Sequence, residues 1–252
     1  MTDQILNCII MLGERMLVSG AEVHRVEESI QRLCRAYGAE RADVYTTTSN
    51  MIITVKTEDD RYLTQTCRIQ STGTDITKLH ELNDLFRRAA ANPPEADQLL
   101  REMERINSMR SYSRWLKVLS YAVIAGSFTV FFGSRSWVEL LISFLIGGVV
   151  GCIAQLTERL TLNKALDRFI CSAVACLLTF VALRMGLVES GDKIIIGNIM
   201  SLIPGIGLTN ALRDLFTGDV ITGILRSIEA VLLAFAIAAG YIISVFLLGG
   251  GV

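Results

Sequence analysis

Histidine, tryptophan and proline are scarce in this chain, at two, two and three copies among 252 residues. Its six cysteines, at positions 8, 34, 67, 152, 171 and 176, show no metal-finger or redox spacing, which leaves zinc and a disulfide framework without support. Cys152, Cys171 and Cys176 are expected to serve as small buried hydrophobes. Net charge is also lacking, at −1, and residues 1–110, with 14 basic and 17 acidic side chains, carry no basic stripe. That excludes nucleic acid as a partner. No nucleophile elbow, metal cluster or phosphate loop is present, so neither a metal nor a cofactor is expected. His24 and His80 fall on predicted helices and hydroxyls crowd Thr46, Thr47, Thr48 and Ser49. A membrane-anchored hydrolase with its site in the first part is the alternative reading, although threonine is simply a favoured strand residue. The N-terminus has no basic flank followed by an apolar core and a small-residue cleavage site, so residues 1–110 are expected to stay in the cytosol.

What is abundant is apolar surface, and it is unevenly distributed. Residues 1–110 hold 31 of the 49 Lys, Arg, Asp and Glu side chains, while 115–252 are mostly Leu, Ile, Val, Ala, Gly and Phe. The composition predicts two domains, a small α+β cytosolic domain over 1–110 and a transmembrane helical domain over 111–252. In the first, Ile5, Ile9, Leu12 and Met16, then Val26, Ile30, Leu33 and Tyr37, recur at helical spacing, with Gly20 and Gly38 as breaks. Three β-branched runs between Asp43 and Ile69, separated by Ser49–Asn50 and by 58–60, predict an antiparallel meander. Helical spacing returns with Ile76, Leu79, Leu82 and Phe86, stops at Asn92, Pro93 and Pro94, and resumes with Leu99, Met103 and Ile106.

Spanning a bilayer takes about 20 predominantly apolar residues. Segments 115–132, 138–156, 169–188 and 228–248 meet that requirement. A fifth segment, 193–214, begins as an apolar run but is interrupted by Asn198, Ser201, Pro204, Gly205 and Gly207. The expected fold is therefore a polytopic α-helical membrane domain of about five spans. Arg105, Arg110, Arg114, Lys117, Arg159, Lys164, Arg168, Arg213 and Arg226 gather at one set of span ends. This places the N-terminus in the cytosol and Val252 outside, in a multi-pass protein of the cell (inner or plasma) membrane. Gly147 and Gly151 share one helix face, where small residues let backbones approach.

A helix broken inside hydrocarbon frees amide and carbonyl groups that lipid cannot satisfy, so such breaks persist where they meet protein or a water-filled cavity. The candidate substrate-binding residues are accordingly Asn198, Ser201, Pro204, Gly205, Gly207, Thr209 and Asn210. A carboxylate at membrane depth is costly unless it carries a proton or meets a partner. Glu158, Asp214 and Glu229 are the candidates for proton coupling, and helical spacing allows Arg226 to contact Glu229. Glu22, Arg25 and Glu27 are expected to form a structural or regulatory ion-pair cluster.

Three stretches resemble the threonine/serine exporter family: GlyAlaGluValHisArgValGlu at 20–27, TyrThrThrThr at 45–48 and ProGlyIleGlyLeuThrAsnAlaLeuArgAspLeuPheThrGlyAsp at 204–219. The third is the most specific, and His24 departs from the aromatic residue expected in the first. The resemblance implies a cytosolic domain before about five spans, with a second set of spans in the same chain or in a separate small membrane protein. This chain is similar to the split form, whose larger subunit works with a small all-membrane companion. Export of threonine and serine, or of dicarboxylates such as succinate, with the proton gradient as energy source, is what the resemblance implies. The partners expected are that companion, a small-molecule substrate, the lipid bilayer and further copies in an oligomer.

Overall fold

The computed structural model describes residues 2–70, 73–109, 112–160 and 162–249. Arg110, counted among the inner cations, and Val252, expected outside, lie beyond these residues. The fold is mostly helical with one small sheet, and it divides into two compact units, Met1–Arg110 with Leu208–Ser227 and Ser111–Gly207 with Ile228–Val252. Segment Leu208–Ser227, placed by composition in the second part, thus belongs to the first unit.

The first unit opens with α1 (Asp3–Val18) and α2 (Val23–Ala36), then the meander β1 (Ala39–Thr46), β2 (Asn50–Thr57) and β3 (Tyr62–Arg68), then α3 (Ile76–Ala91) and α4 (Ala96–Asn107). Strand order is β1-β2-β3, antiparallel throughout, with Val44 opposite Ile53 and Ile53 opposite Gln65. Strand alternation turns Met51, Ile53 and Val55 onto one face, where they are fully buried against Leu6, Ile9, Leu12 and Ile30 of the first two helices. Asp75 caps α3 by accepting from the Lys78 amide, and Asn92 before Pro93 ends it.

The second unit contains α5 (Arg114–Phe131), α6 (Trp137–Arg159), α7 (Lys164–Arg184) and α8 (Asp192–Met200). After the break at residues 201–204 come α9 (Gly205–Thr217) and α10 (Val220–Ser244), each with residues assigned to both units, and a π-helical turn, Val245–Gly249. Among the described residues, α6, α7 and the stretch Val220–Leu248 are long and apolar enough to cross a bilayer, and the bent pair α8 and α9 adds a fourth if it is one span. Helix α5, expected as the first span, has only 18 residues, and Arg114 and Lys117 occupy its first turn.

Close helix packing here depends on residues without bulk. A Cβ on Gly147 would sit 2.6 Å from the Ala125 Cβ and 2.8 Å from the Tyr121 carbonyl, and one on Gly151 would meet the Tyr121 Cβ at 3.0 Å. Both glycines of α6 therefore face α5, as their shared helix face predicts. Gly197 of α8 is tighter still, since its Cβ would overlap the Thr129 hydroxyl and lie 2.8 Å from the Ala125 carbonyl and 2.9 Å from the Thr129 amide nitrogen. Cys171 and Cys176 are buried, but Cys152 is exposed, because it lies on the side of α6 away from Gly147 and Gly151.

Candidate functional site

Two reversals of the chain build the site in the first unit. Helix α9 ends in a Schellman turn, where Gly218 adopts φ +100°, its amide donates to the Leu215 carbonyl and the Asp219 amide donates to the Asp214 carbonyl at 2.9 Å. The chain folds back at once into α10, so tightly that a Cβ on Gly223 would overlap Leu215. Arg226 is thereby brought to Asp214, and its Nη1 donates to Asp214 Oδ2 at 2.7 Å. Asp214 is 1% exposed, and its Oδ1 has no partner among the described residues.

Helix α1 ends the same way. Gly20 takes φ +98°, and the Ala21 amide donates back to the Met16 carbonyl at 3.0 Å. A side chain at Gly20 would be strained, and its Cβ would press on the Gly73 carbonyl at 2.9 Å. This turn presents three acceptors. Asn210 donates to the Gly20 carbonyl at 3.4 Å, Arg226 Nη2 to the Ala21 carbonyl at 3.2 Å, and Arg213 forms a short ion pair with Glu22. Glu22 begins α2 yet makes no capping bond, since its carboxylate is turned to Arg213.

One helical turn further along α2, Glu27 Oε1 accepts from the Thr46 amide at 2.7 Å, tying α2 to the end of β1. Burial pushes the Glu27 carboxyl above its ordinary range, the Thr46 amide opposes that, and the nearby Asp219 adds to it. Asp219 and Glu22 are also within electrostatic reach of Asp214. Thr46 Oγ1 and Asp219 Oδ2 are buried without partners among the described residues. The three stretches that carry the family resemblance therefore contribute Glu22 and Glu27, Thr46, and Asn210, Arg213, Asp214 and Asp219 to one polar cluster.

In the second unit, the break after α8 is real. Proline offers no amide hydrogen, and the Leu202 amide bonds the Ile199 carbonyl while the Gly205 amide bonds that of Ile203 in tight turns. Ser201 donates to the Asn198 carbonyl at 2.8 Å. Asn198 itself is 1% exposed and donates from Nδ2 to Ser143 Oγ at 3.0 Å and to the Ile194 carbonyl at 2.9 Å, leaving Oδ1 without a partner among the described residues. The buried Thr129 hydroxyl lies 2.6 Å from Ser143 Oγ. Nothing lies near a Cβ built on Gly205, and Gly207 meets only Pro204 at 3.9 Å. Thr209 is exposed.

The candidate residues thus separate into two groups, Asn198 and Ser201 in one unit, Asn210 and Asp214 in the other. Several expectations are corrected. Arg25 is exposed and forms no ion pair among the described residues, so Glu22, Arg25 and Glu27 do not make a mutual cluster, and Glu22 pairs with Arg213 instead. Arg226 turns to Asp214 rather than to Glu229, which pairs with Lys164 at 3.1 Å. Glu158 is exposed, 4.0 Å from Lys117. His24 and His80 are exposed too. Sequence reasoning gave Thr46 only a hydroxyl's place in the hydrolase alternative and left Asp219, Ser143 and Thr129 out of the site. The first two lie within the resembling stretches, which was the available signal, whereas a lone serine or threonine in an apolar run gives none.

Apolar helices of spanning length, a helix broken beside a buried asparagine and an acidic cluster define a multi-pass membrane protein with polar sites. The family profile described as "Putative threonine/serine exporter" matches residues 7–248, and the chain belongs to that family. It is 26% identical to the "Probable threonine/serine exporter" of Mycobacterium tuberculosis over 96% of this chain and 46% of the relative. It is also 26% identical to the "Threonine/serine exporter" of Corynebacterium glutamicum, over 94% and 50% respectively. The "Probable succinate transporter subunit YjjP" of Klebsiella aerogenes is 26% identical over 93% of this chain and 90% of its own length. The chain spans about half the length of the two threonine/serine exporters it matches. No solved structure matches it.

Proposed function

We propose that this chain is the larger subunit of a secondary exporter of small polar metabolites, either threonine- and serine-type amino acids or dicarboxylates such as succinate. Support for a subunit comes from the YjjP relative, whose name includes that word and whose length this chain nearly matches. A small all-membrane companion completes the transporter, and further copies assemble with it. In this reading α5 joins the three apolar helices and the broken pair as a fifth span, residues 1–110 are cytosolic and the C-terminus is outside. Asn198, Ser201, Thr209 and Asn210, with the backbone freed at Pro204, Gly205 and Gly207, serve the substrate.

The proton gradient drives the cycle, and Asp214 carries the proton. The observation behind this choice is its burial beside a single arginine with one oxygen unsatisfied, whereas Glu158 and Glu229 are solvated beside lysines. An uncompensated buried carboxylate is costly and gains from taking up a proton. Metabolite release from cells expressing the chain with its companion tests the reading. Asp214→Asn should lower export at least about 10-fold, the scale of losing one charge-assisted contact. Wild-type export by Asp214→Asn removes the proton assignment, and wild-type export by both Asn210→Ala and Pro204→Ala removes the substrate assignment.

A further inference from the structure

Glu139 is a buried acid of the second unit to which nothing above gives a task. It stands in the first turn of α6 and is 5% exposed, and among the described residues only Asp214 is an acid so enclosed. Two local rules put it there. Helix α5 ends in a left-handed turn at Gly133, φ +94°, where the Ser134 amide donates to the Thr129 carbonyl at 3.1 Å and the Ser134 side chain is buried. On α6 every fourth residue falls on nearly the same face, and Glu139, Ser143, Gly147 and Gly151 form such a row. The two glycines press on α5, and Ser143 meets its Thr129 hydroxyl, so Glu139 heads the face packed against α5. Its Oε2 lies 2.5 Å from Ser134 Oγ, which is its side-chain partner among the described residues.

No cation balances this acid. Arg135, in the same turn, is exposed, and the last turn of α5 holds no basic residue. Arg184, at the end of α7, donates to the Leu248 carbonyl. Helix α8 begins with the exposed Asp192 and with Lys193, whose carbonyl accepts from Thr129 Oγ1 at 3.3 Å and whose ammonium forms no ion pair among the described residues. An acid that served only the positive end of a helix would stay solvated, as Asp192 does. A charged side chain within a span is costly unless it meets a partner, and such residues mark proton and ion pathways. The Ser134 hydroxyl suits both states of the acid, because it can donate to a carboxylate and accept from a carboxylic acid.

We propose that Glu139 is a second proton-carrying group of the exporter, with Ser134 as its positioning residue. A proton taken up on a carboxylate oxygen lets the acid donate to Ser134 Oγ. Its release returns Ser134 to donating, so the proton alone is exchanged. The inference rests on the proton-driven reading and extends it, because Asp214 in the first unit keeps Arg226 as its countercharge whereas Glu139 in the second has none. It holds equally for an amino acid and for a dicarboxylate as cargo.

The test has two arms, both on the full-length chain with its companion. Dicyclohexylcarbodiimide adds to a protonated carboxyl in an apolar site and leaves an acylurea there. In nanodiscs, peptide mass spectrometry should find that adduct on Glu139 and not on the exposed Glu158 or Asp192. Ser134→Ala should raise the labelling rate of Glu139 about 10-fold, the difference between a hydrogen bond to a charged and to a neutral group, and Ser134→Thr should restore the wild-type rate. In proteoliposomes, Glu139→Gln should lower gradient-driven export of L-serine or succinate, whichever the wild type exports, at least about 10-fold, the scale of one hydrogen bond to a charged group. It should retain exchange of labelled for unlabelled metabolite, which needs no net proton movement. Asp192→Asn should export as the wild type does. An unlabelled Glu139, wild-type export by Glu139→Gln, or loss of exchange together with export would each overturn the assignment, the last by revealing a structural role. Unchanged labelling in Ser134→Ala would remove Ser134 from it. Labelling needs no transport, so it decides the proton site even where the wild type exports neither metabolite, an outcome that refutes the exporter reading alone.

Discussion

The two units expose opposite kinds of residue. In the first, Leu6, Ile9, Leu12, Ile30 and Leu33 are inside and charged side chains cover the outside, as water demands. In the second, Ala125, Ser143, Gly147, Ala175, Thr179 and Gly197 are inside while Trp115, Phe131, Trp137, Leu145 and Phe235 point outward. Lipid tails offer large apolar residues as good a home as the protein does, so small and hydroxyl-bearing residues share the interior with Val150, Ile194 and Leu202 and let the helices touch. One chain thus obeys two solvents, and the same substitution has different consequences in each.

The largest effect should come from the buried charge of the first unit. Arg226→Met strands Asp214 and should cost about 3–5 kcal/mol, read as thermal unfolding of the detergent-solubilised chain, while adding Asp214→Asn should recover most of it. Leu33→Ala, in the water-facing unit's core, should cost about 2–5 kcal/mol. Leu145→Ala, an apolar deletion of the same size on the outer face of α6, should change stability by less than about 0.5 kcal/mol. Equal losses at these two positions would abolish the contrast between the units. Gly197→Ala sharpens it from the other side. A single methyl pressed against the backbone of α5 should cost about 1–3 kcal/mol although the substitution adds apolar surface.

The smallest effect concerns Glu27. Its carboxyl titrates above the ordinary value because of burial, with Asp219 adding to the shift. A raised carboxyl contributes stability below its unfolded value, near 4.5, and that contribution is lost as pH rises through the folded value. Glu27→Gln keeps an oxygen for the Thr46 amide and cannot ionise, so it should flatten the fall in stability between mildly acidic and neutral pH. A slope identical to that of the wild type would show that Glu27 does not titrate there.

Much of this was legible in the sequence because periodicity reports burial directly. The three β-branched runs became the meander, and the apolar spacings became α1 to α4. The break at Pro204 followed from a missing amide hydrogen, and the shared face of Gly147 and Gly151 from helical geometry. Pairings across the chain were not legible. Arg226 and Glu229 are three apart on one helix, a local pattern, yet the left-handed Gly218 returns α10 onto α9 and gives Arg226 to Asp214. Five spans were counted from apolar length, and α5 shows how two basic residues in the first turn make such a count uncertain at the margin. Thr46 looked like one strand threonine among several until α2 placed Glu27 against its amide.

The turn at Gly20 and Ala21 offers Arg226 and Asn210 main-chain oxygens, which every amino acid possesses. No replacement at residue 21 can delete that acceptor by changing side-chain chemistry. The connection is vulnerable only to a change in the path of the backbone, and that path is set by a glycine. At residue 21 the acceptor outlasts any side chain that the buried Ala21 site can hold, whereas at residue 20 the left-handed shape itself must be preserved.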